Sequence, residues 1–501
     1  SGVSLGIVGE SGSGKSMLVS ALIGLLPRNA LFSADEVNFD GKNLVDISEK
    51  DMVKLRGRDI SMIFQDPAAS LSPTDTIGKQ LSEVFSLHEG LKKREAEEKS
   101  IDMLNKVGIN ESRLRMKQYP HELSGGMLQR VMIAMALACK PKLLIADEPT
   151  TALDVTTQKQ ILILIKELCE ELNTAAIIIS HDLRIIAEVS DRVLVMKDGR
   201  IVEEAESKEI FNKPKSDYAK LLISSIPDMS GFREVGQTKG VVLLTVENLK
   251  VSFAGRKGLF GRTEYIPAVD GVSFDVYKGE TLGLVGESGC GKSTLSRTIL
   301  KLIKKTSGRI VFDGEEIESL SKQDMKCFRK RVQLIFQNSY SSLNPRMTVR
   351  ESLFAPLNNL GIRGEEAEER VKRALYEIGL NEGFAERYPH ELSGGQKQRI
   401  VIARALIGEP ELVICDEPVS ALDVSIQAEI LALLEKFKKE KGLTYIFISH
   451  DLGVVKNISD RVMVMYKGRI VEENSTREIF ENPKDDYTKE LLASIPGIKA
   501  V

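Results

Sequence analysis

The sequence repeats itself, and this repeat is the strongest constraint on how the chain can fold. HELSGG at 121–126 recurs at 390–395, an offset of 269 residues. The segments DEP at 147–149, SHDL at 180–183, SDRV at 190–193 and GRIVEE at 199–204 recur at the same offset. A period of this length far exceeds that of a solenoid repeat, so the pattern predicts a duplicated domain.

A glycine-rich segment also occurs twice, as GESGSGKS at 9–16 and as GESGCGKS at 286–293, with an offset of 277. Aligned on this segment, the first copy has no counterpart of about residues 243–277. That stretch has the pattern of two strands in the second copy, LLTVENLKVSF and AVDGVSFDVY. We therefore expect the first domain to lack these opening strands in this sequence.

The repeat also gives the domain boundaries. The first copy closes with KLLISSIPD, which ends at 228, and the second copy opens with the strand-like segment that begins at 243. Between them the chain is polar and rich in Gly, Lys and Thr, as a linker would be. We predict a first domain at 1–228, a linker at 229–242 and a second domain at 243–501.

Composition excludes several classes of protein. The chain has 69 Lys and Arg against 72 Asp and Glu. The resulting net charge of −3 argues against a basic protein that coats nucleic acid. The five cysteines are scattered, with neither metal-site spacing nor a disulfide framework. The sequence contains no apolar run near the 18 residues that a transmembrane helix needs.

The repeated glycine segment has the form G-x-x-x-x-G-K-[ST] and predicts a phosphate-binding loop. Glycines let backbone N–H groups wrap phosphates, and the helix that follows turns its positive end toward them. The lysines would reach the β- and γ-phosphates of ATP, and the terminal serines would hold Mg²⁺. The predicted nucleotide-binding residues are Gly9, Ser11, Gly12, Gly14, Lys15 and Ser16, and Gly286, Ser288, Gly289, Gly291, Lys292 and Ser293.

Two acidic residues end an apolar strand in each copy, Asp147-Glu148 and Asp416-Glu417. The aspartate at the strand end is a predicted Mg²⁺ ligand. The glutamate that follows is placed to polarise a water against the γ-phosphate as a general base. Taken alone, such a pair could equally cap a helix; the phosphate-binding loop in the same domain favours the catalytic interpretation.

LSGG, at 123–126 and 392–395, completes a set of motifs that resembles the ATP-binding cassette (ABC) family over nearly the whole chain. The resemblance implies an α/β fold with two tandem P-loop NTPase domains, each a mainly parallel wound sheet with a helical insertion. The charged stretches 78–118 and 350–387 are the expected insertions. In the family this signature serves as a second phosphate clamp at a helix start. The matching residues here are Ser124, Gly125, Gly126, Ser393, Gly394 and Gly395. The first copy has Met127 where the family has Gln.

The resemblance assigns further residues. Gln65 and Gln337 match the Q-loop, which senses the γ-phosphate through metal and water, and both are predicted metal ligands. His181 and His450 match the switch histidine that contacts the γ-phosphate. As isolated residues, such a glutamine would be a surface residue and such a histidine a structural one. Tyr265 is the candidate for stacking on adenine, and Phe253 is the alternative.

Two cassettes in one chain imply an intramolecular head-to-tail pair. One site would combine the Lys15 loop with Ser393, and the other the Lys292 loop with Ser124. TALD at 151–154 and SALD at 420–423 match the D-loop at such an interface. Since neither copy has lost its Lys, Glu or His, we expect both sites to hydrolyse ATP.

Three further segments are similar to ATP-binding subunits of peptide/nickel-type importers, which include oligopeptide, dipeptide and glutathione systems. They are YPHELSGG, FQNSYSSLNP and the tail DYTKELLASIP. This resemblance implies an energy-coupling ATPase subunit for peptides or related small solutes. It implies two transmembrane permease subunits, an extracytoplasmic solute-binding protein, and a peripheral position on the cytoplasmic face of the inner membrane.

The alternative is a tandem ABC ATPase of the ABC-F type, which acts on ribosomes. Those relatives have a long charged helical linker and a basic character. Here only residues 229–242 separate the two copies, and the net charge is −3. Both features favour the importer.

Overall fold

The computed structural model describes residues 2–150, 155–180, 182–227, 231–232, 240–257, 263–337, 342–420 and 422–495. Internal contacts divide the chain into two compact units, Ser1–Ile226 and Pro227–Val501. Most of the proposed linker lies outside the described residues, so the boundaries at 228 and 243 stay a prediction. Among the helices of the described residues, none is long and apolar enough to span a membrane.

The strands of each unit alternate with helices along the chain. In unit 1 they are β1 Ser4–Val8, β2 Asn38–Phe39, β3 Lys42–Asn43, β4 Ile60–Ile63, β5 Leu143–Asp147, β6 Ala175–Ile179, β7 Arg192–Lys197 and β8 Arg200–Glu206. In unit 2 they are β9 Val242–Lys257, β10 Thr263–Tyr277, β11 Thr281–Val285, β12 Ser307–Phe312, β13 Glu315–Glu316, β14 Val332–Ile335, β15 Leu412–Asp416, β16 Thr444–Ile448, β17 Arg461–Tyr466 and β18 Arg469–Ser475.

The helices occupy matching places in the two units. In unit 1 they are Lys15–Leu22, Glu49–Leu55, Pro67–Ser70, Ile77–Glu89, Lys93–Lys106, Ser112–Arg115, Gly125–Leu137, Val155–Leu172, Leu183–Val189, Ser207–Asn212 and Asp217–Ser224. In unit 2 they are Lys292–Ile299, Lys322–Arg331, Val349–Asn359, Gly364–Glu377, Gly394–Leu406, Val424–Lys441, Leu452–Ile458, Thr476–Glu481 and Asp486–Ala493. Short 3₁₀ turns lie at Pro120–Glu122, Glu382–Phe384 and Pro389–Glu391.

Each unit is built on a six-stranded sheet. The strand orders are β4-β5-β6-β1-β7-β8 and β14-β15-β16-β11-β17-β18, and each sheet is parallel except for its last strand. The central strands are apolar on both faces; every residue of β11, β15 and β16 is buried. Strands covered on both sides need this composition. The predicted mainly parallel wound sheet is confirmed.

In each unit, the segments that follow four parallel strands lie at the same edge of the main sheet. β1, β4, β5 and β6 run in the same direction, and so do their counterparts β11, β14, β15 and β16. Their carboxyl ends therefore meet at one side of the sheet, where ligands bind in folds of this class. The glycine loop, the Gln, the Asp-Glu pair and the His each follow one of these ends.

An antiparallel sheet lies beside the main sheet in unit 2, with the order β10-β9-β12-β13. β9 and β10 are the two strands predicted from the pattern at 243–277. Among the described residues of unit 1, antiparallel pairing occurs between β7 and β8 of the main sheet and in the β2–β3 hairpin. The absence of these opening strands from the first domain stays a prediction.

Charged stretches form the predicted helical insertions. In unit 1 the insertion begins with the helix Ile77–Glu89, whose first turn is capped by the hydroxyl of Thr76. In unit 2 Thr348 caps the equivalent helix, and Glu351 completes a capping box. Both insertions pack on the helix that follows the LSGG segment, so they carry the signature at a fixed place in the unit.

A buried ion pair distinguishes the core of unit 2 from that of unit 1. The Lys438 ammonium donates to Asp460 Oδ2 at 2.6 Å and to the Thr281 hydroxyl at 2.9 Å. Both charged side chains are about nine-tenths buried. In unit 1 the equivalent positions are Cys169 and Asp191, and Asp191 is exposed, so water solvates its charge.

We expect Lys438→Met to lower the free energy of unfolding of unit 2 by about 3 kcal/mol, because it leaves the Asp460 charge buried without its partner. Lys439→Met is the matched control. Its ammonium pairs with Glu435 at the surface, where such a pair contributes less than about 1 kcal/mol. Urea denaturation of the full chain measures both; equal losses would contradict the role given to the buried pair.

Candidate functional site

The phosphate-binding loops leave their strands through a turn that only glycine can occupy. Gly9 and Gly286 have φ of 154° and 151°. A Cβ on either would lie 2.2 Å from a strand carbonyl oxygen, that of Met196 in β7 or Met465 in β17. The loops are therefore held against the sheet by backbone contact. Over Gly12 and Gly289 an added Cβ would meet nothing within 4 Å, so the loop backbone stays open to a ligand.

A helix begins at the loop lysine in each unit. The Lys15 ammonium donates to the carbonyl oxygens of Gly9 and Glu10 at 2.7 and 2.8 Å, and Lys292 makes the same bonds to Gly286 and Glu287. Each lysine is thus held across its own loop, next to the helix N-terminus that would face phosphates.

The strand-end aspartate faces the loop serine in both units. Ser16 Oγ donates to Asp147 Oδ1 and Ser293 Oγ to Asp416 Oδ1, each at 3.0 Å. Burial raises the pKa of both aspartates. Asp416 Oδ2 is buried and has no hydrogen-bond partner among the described residues. Such an oxygen beside a hydroxyl fits Mg²⁺, which takes oxygen ligands.

The glutamate after each aspartate adopts a strained backbone. Glu148 and Glu417 have φ of 46° and 50°, in the left-handed region that non-glycine residues rarely adopt. Their amides donate to the carbonyl oxygens of Ile179 and Ile448 at 3.1 and 3.0 Å. This turn directs the carboxylates along the edge of the sheet.

The Q-loop glutamine reaches that carboxylate. Gln65 Nε2 donates to Glu148 Oε2, and Gln337 Nε2 to Glu417 Oε2, both at 2.8 Å. Since the amide nitrogen is engaged, the amide oxygen is the atom that would bind a metal. In unit 2, His450 Nδ1 also lies 3.2 Å from Glu417 Oε2. His181 lies outside the described residues.

Charge at Glu417 is controlled by its neighbours. Burial opposes ionisation, but the hydrogen bond and charge of His450, together with the charge of Lys292, hold the pKa of Glu417 below its usual range. The carboxylate is therefore ionised at neutral pH, as a general base must be. Because both bonds end on Oε2, Oε1 is the oxygen that can accept a proton from water.

The signature serines lie at helix starts. Ser124 Oγ accepts from the amide of Met127 at 3.4 Å, and Ser393 Oγ from that of Gln396 at 3.3 Å. In unit 2, Gln396 Oε1 in turn accepts a hydrogen bond from the Ser393 amide, which completes a capping box. Met127 cannot form this second bond, because its side chain has no amide oxygen. No hydrogen bond between described residues joins either serine to the phosphate-binding loop of its own unit. The expected contact across a head-to-tail pair stays a prediction.

Both adenine-stacking candidates lie on the paired strands β9 and β10. Tyr265 is 66 % exposed and Phe253 47 %. On the same strand as Tyr265, Ala268 contacts the loop, because a Cβ on Gly291 would lie 2.2 Å from its carbonyl oxygen. Tyr265 is thus an exposed aromatic residue on a strand that touches the loop. The TALD segment at 151–154 lies outside the described residues, as does Ala421.

Sequence reasoning missed two residues that touch the phosphate-binding loops, Tyr218 and Tyr487. Their hydroxyls lie 3.1 Å from the amide nitrogens of Glu10 and Glu287. A signal was present, because DY occurs in both tails at the common offset of 269. The pattern of the tails indicates a subfamily and an amphipathic helix, but not a contact with the loop.

Fold and site together define a protein with two nucleotide-binding domains of the P-loop type. A family model described as ABC transporter matches residues 1–151 and 269–420. A second model, described as Oligopeptide/dipeptide transporter, C-terminal region, matches residues 202–250 and 471–501. The chain belongs to the ABC transporter family, whose cassettes bind and hydrolyse ATP, and the resemblance inferred from the motifs is confirmed.

The similarity to known proteins extends over both domains. The chain is 45 % identical to the glutathione import ATP-binding protein GsiA of Salmonella paratyphi A, over 99 % of this chain and 85 % of that protein. It is 44 % identical, with the same coverage, to GsiA of Escherichia coli K12. Both relatives are named as import proteins, and neither supports the ribosome-associated alternative.

Among solved structures, a dimeric ATP-binding cassette in a post-hydrolysis state with ADP and Pi is 31 % identical, with a TM-score of 0.42. The aligned region covers 47 % of this chain and 99 % of the chain in that structure.

We expect Glu148→Gln with Glu417→Gln, in one chain, to lower ATP turnover by roughly 10²–10⁴-fold, the usual contribution of a general base. ATP binding should persist, because the loops are unchanged. Glu97→Gln with Glu440→Gln, two exposed carboxylates, is the matched control. Phosphate release and nucleotide titration measure the two effects; full turnover in the first variant would remove these glutamates from the mechanism.

Asp147→Asn with Asp416→Asn tests the metal site. We expect the Mg²⁺ concentration for half-maximal ATPase to rise tenfold or more, since even the partners of metal ligands contribute roughly 10- to 100-fold to affinity. Asp46→Asn with Asp324→Asn replaces two exposed carboxylates and should leave that concentration unchanged. An unchanged Mg²⁺ requirement in the first variant would contradict the assignment.

Proposed function

We propose that the chain is the ATP-hydrolysing, energy-coupling component of an importer for glutathione, other peptides or related small solutes. One observation carries the proposal: the chain is 45 % identical to a glutathione import ATP-binding protein, and the similarity extends over 99 % of the chain. The match to the C-terminal region of oligopeptide and dipeptide transporters, after each cassette, supports it.

Each domain supplies the groups that hydrolysis needs. The loop amides and Lys15 or Lys292 bind the phosphates of ATP. The serine hydroxyl, the aspartate and the glutamine oxygen would hold Mg²⁺, which neutralises developing phosphate charge. Glu148 or Glu417 takes a proton from the attacking water, and His450 keeps Glu417 oriented and ionised.

We infer two composite sites within the chain. Each phosphate-binding loop would face the signature serine of the other domain, Lys15 with Ser393 and Lys292 with Ser124. The support is that each serine is the N-cap of a helix, a position at which backbone amides can bind an anion. ATP would hold the domains together, and hydrolysis would release them. Tyr265 would stack on the adenine of one ATP.

The partners we propose are two transmembrane permease subunits and an extracytoplasmic solute-binding protein. The chain would lie on the cytoplasmic face of the inner membrane, attached through the permease. No nucleic acid is among the proposed partners, which agrees with a net charge of −3.

The test is purification of the tagged full chain in mild detergent from its own cells, followed by a transport assay. We expect two multispanning polypeptides to copurify, and uptake of labelled glutathione or a short peptide by the reconstituted complex. Uptake should stop in Glu148→Gln with Glu417→Gln and persist in Glu97→Gln with Glu440→Gln. Recovery of ribosomal subunits without a permease would overturn the proposal.

A further inference from the structure

A tyrosine hydroxyl ties the phosphate-binding loop of each unit to the last described helix of that unit. The amide N–H of Glu10 donates to the Tyr218 hydroxyl oxygen at 3.1 Å, and that of Glu287 to Tyr487 at 3.1 Å. Glu10 and Glu287 directly follow the first glycine of each loop. The partners are 208 and 200 residues apart in sequence, so the contact depends on the tertiary fold.

A carboxylate holds the tyrosine-bearing helix in place. Glu203 of β8 accepts from the amides of Lys215 and Ser216 at 2.9 and 2.8 Å. Ser216 then caps the helix Asp217–Ser224 through its hydroxyl. Although burial opposes it, bonding to these amides lowers the pKa of Glu203, so the carboxylate stays ionised at neutral pH.

Unit 2 uses the same construction. Glu472 of β18 accepts from the amides of Lys484 and Asp485 at 2.9 and 3.1 Å. Asp485 caps the helix Asp486–Ala493 through a bond from the Tyr487 amide. The chain therefore builds the same connection, from sheet edge to helix to loop, in both copies.

The packing around the two rings differs although the bond to the loop is the same. The Lys197 ammonium lies 5.0 Å from the centre of the Tyr218 ring. The Tyr487 ring instead stacks on Tyr466, with ring centres 4.2 Å apart. What the two units share is the hydroxyl at the loop amide.

We propose that Tyr218 and Tyr487 are positioning residues for ATP binding, through which the C-terminal segment of each domain sets the geometry of its phosphate-binding loop. The proposal rests on the assignment of these loops as ATP sites. A fixed amide at the loop entrance restricts the loop before ATP arrives, and such preorganisation favours binding. Both tyrosines lie in the segments matched by the oligopeptide/dipeptide C-terminal model.

The test is Tyr218→Phe with Tyr487→Phe in the full chain, which removes two hydroxyls and keeps both rings. We expect the Kd and KM for ATP to rise roughly 2- to 10-fold, the effect of one neutral hydrogen bond at each site. The kcat should stay within about twofold, because the loop is held alike in the ground state and the transition state. Tyr466→Phe, which removes a neighbouring hydroxyl that does not contact the loop amide, should leave both constants unchanged.

A merely structural role predicts a different result. In that case the midpoint of thermal unfolding without nucleotide would fall while the Kd for ATP stayed unchanged, and this outcome would overturn the proposal. Lys15→Ala with Lys292→Ala tests the ATP sites themselves. Lost ATP binding in that variant, with an unchanged Kd in the tyrosine variant, would refute the positioning role and leave the ATP sites standing.

Discussion

Each site is organised by an approach of backbone to backbone that leaves no room for a side chain. Gly9 and Gly286 bring the loop entrance against a carbonyl oxygen of β7 or β17, where a Cβ would lie at 2.2 Å. With the entrance held there, the next helix begins at the loop lysine, and its N-terminus faces the ligand space. The serine that follows then reaches the aspartate on the neighbouring strand β5 or β15. A larger residue at the first step would displace all of these groups together.

Much of this site could be predicted from the sequence because parallel strands bring their carboxyl ends to one edge. Gln65, Asp147 and Glu148 each follow a short apolar run, so the pattern of such runs places them together without knowledge of the packing. The tyrosine contacts could not be predicted in that way. The pattern in each tail indicates an amphipathic helix, but it does not show that a hydroxyl on that helix reaches a loop about 200 residues away. The strained turn at Glu417 could not be predicted either, because glutamate has no preference for positive φ and the conformation depends on the surrounding packing.

The two units show which parts of the fold can vary. Cys290 replaces Ser13 beside the loop lysine, with Sγ 3.8 Å and Oγ 3.5 Å from the ammonium. Lys438 replaces Cys169 in the core, where it neutralises an aspartate that unit 1 leaves exposed to water. The hydrogen bonds among serine, aspartate, glutamate and glutamine have the same partners in both units, and their lengths agree.

That agreement extends to a backbone conformation that costs energy. A non-glycine residue with positive φ costs on the order of 1–3 kcal/mol, and such strain persists only where surrounding contacts enforce it. At Glu417 the enforcing contact is the bond from its amide to the Ile448 carbonyl, which extends the pairing of β15 and β16 by one residue. The backbone cannot relax without breaking that bond and moving the carboxylate away from Gln337 and His450. The strain therefore fixes the position of the carboxylate that we propose as the general base, so that less reorganisation would be left for hydrolysis itself.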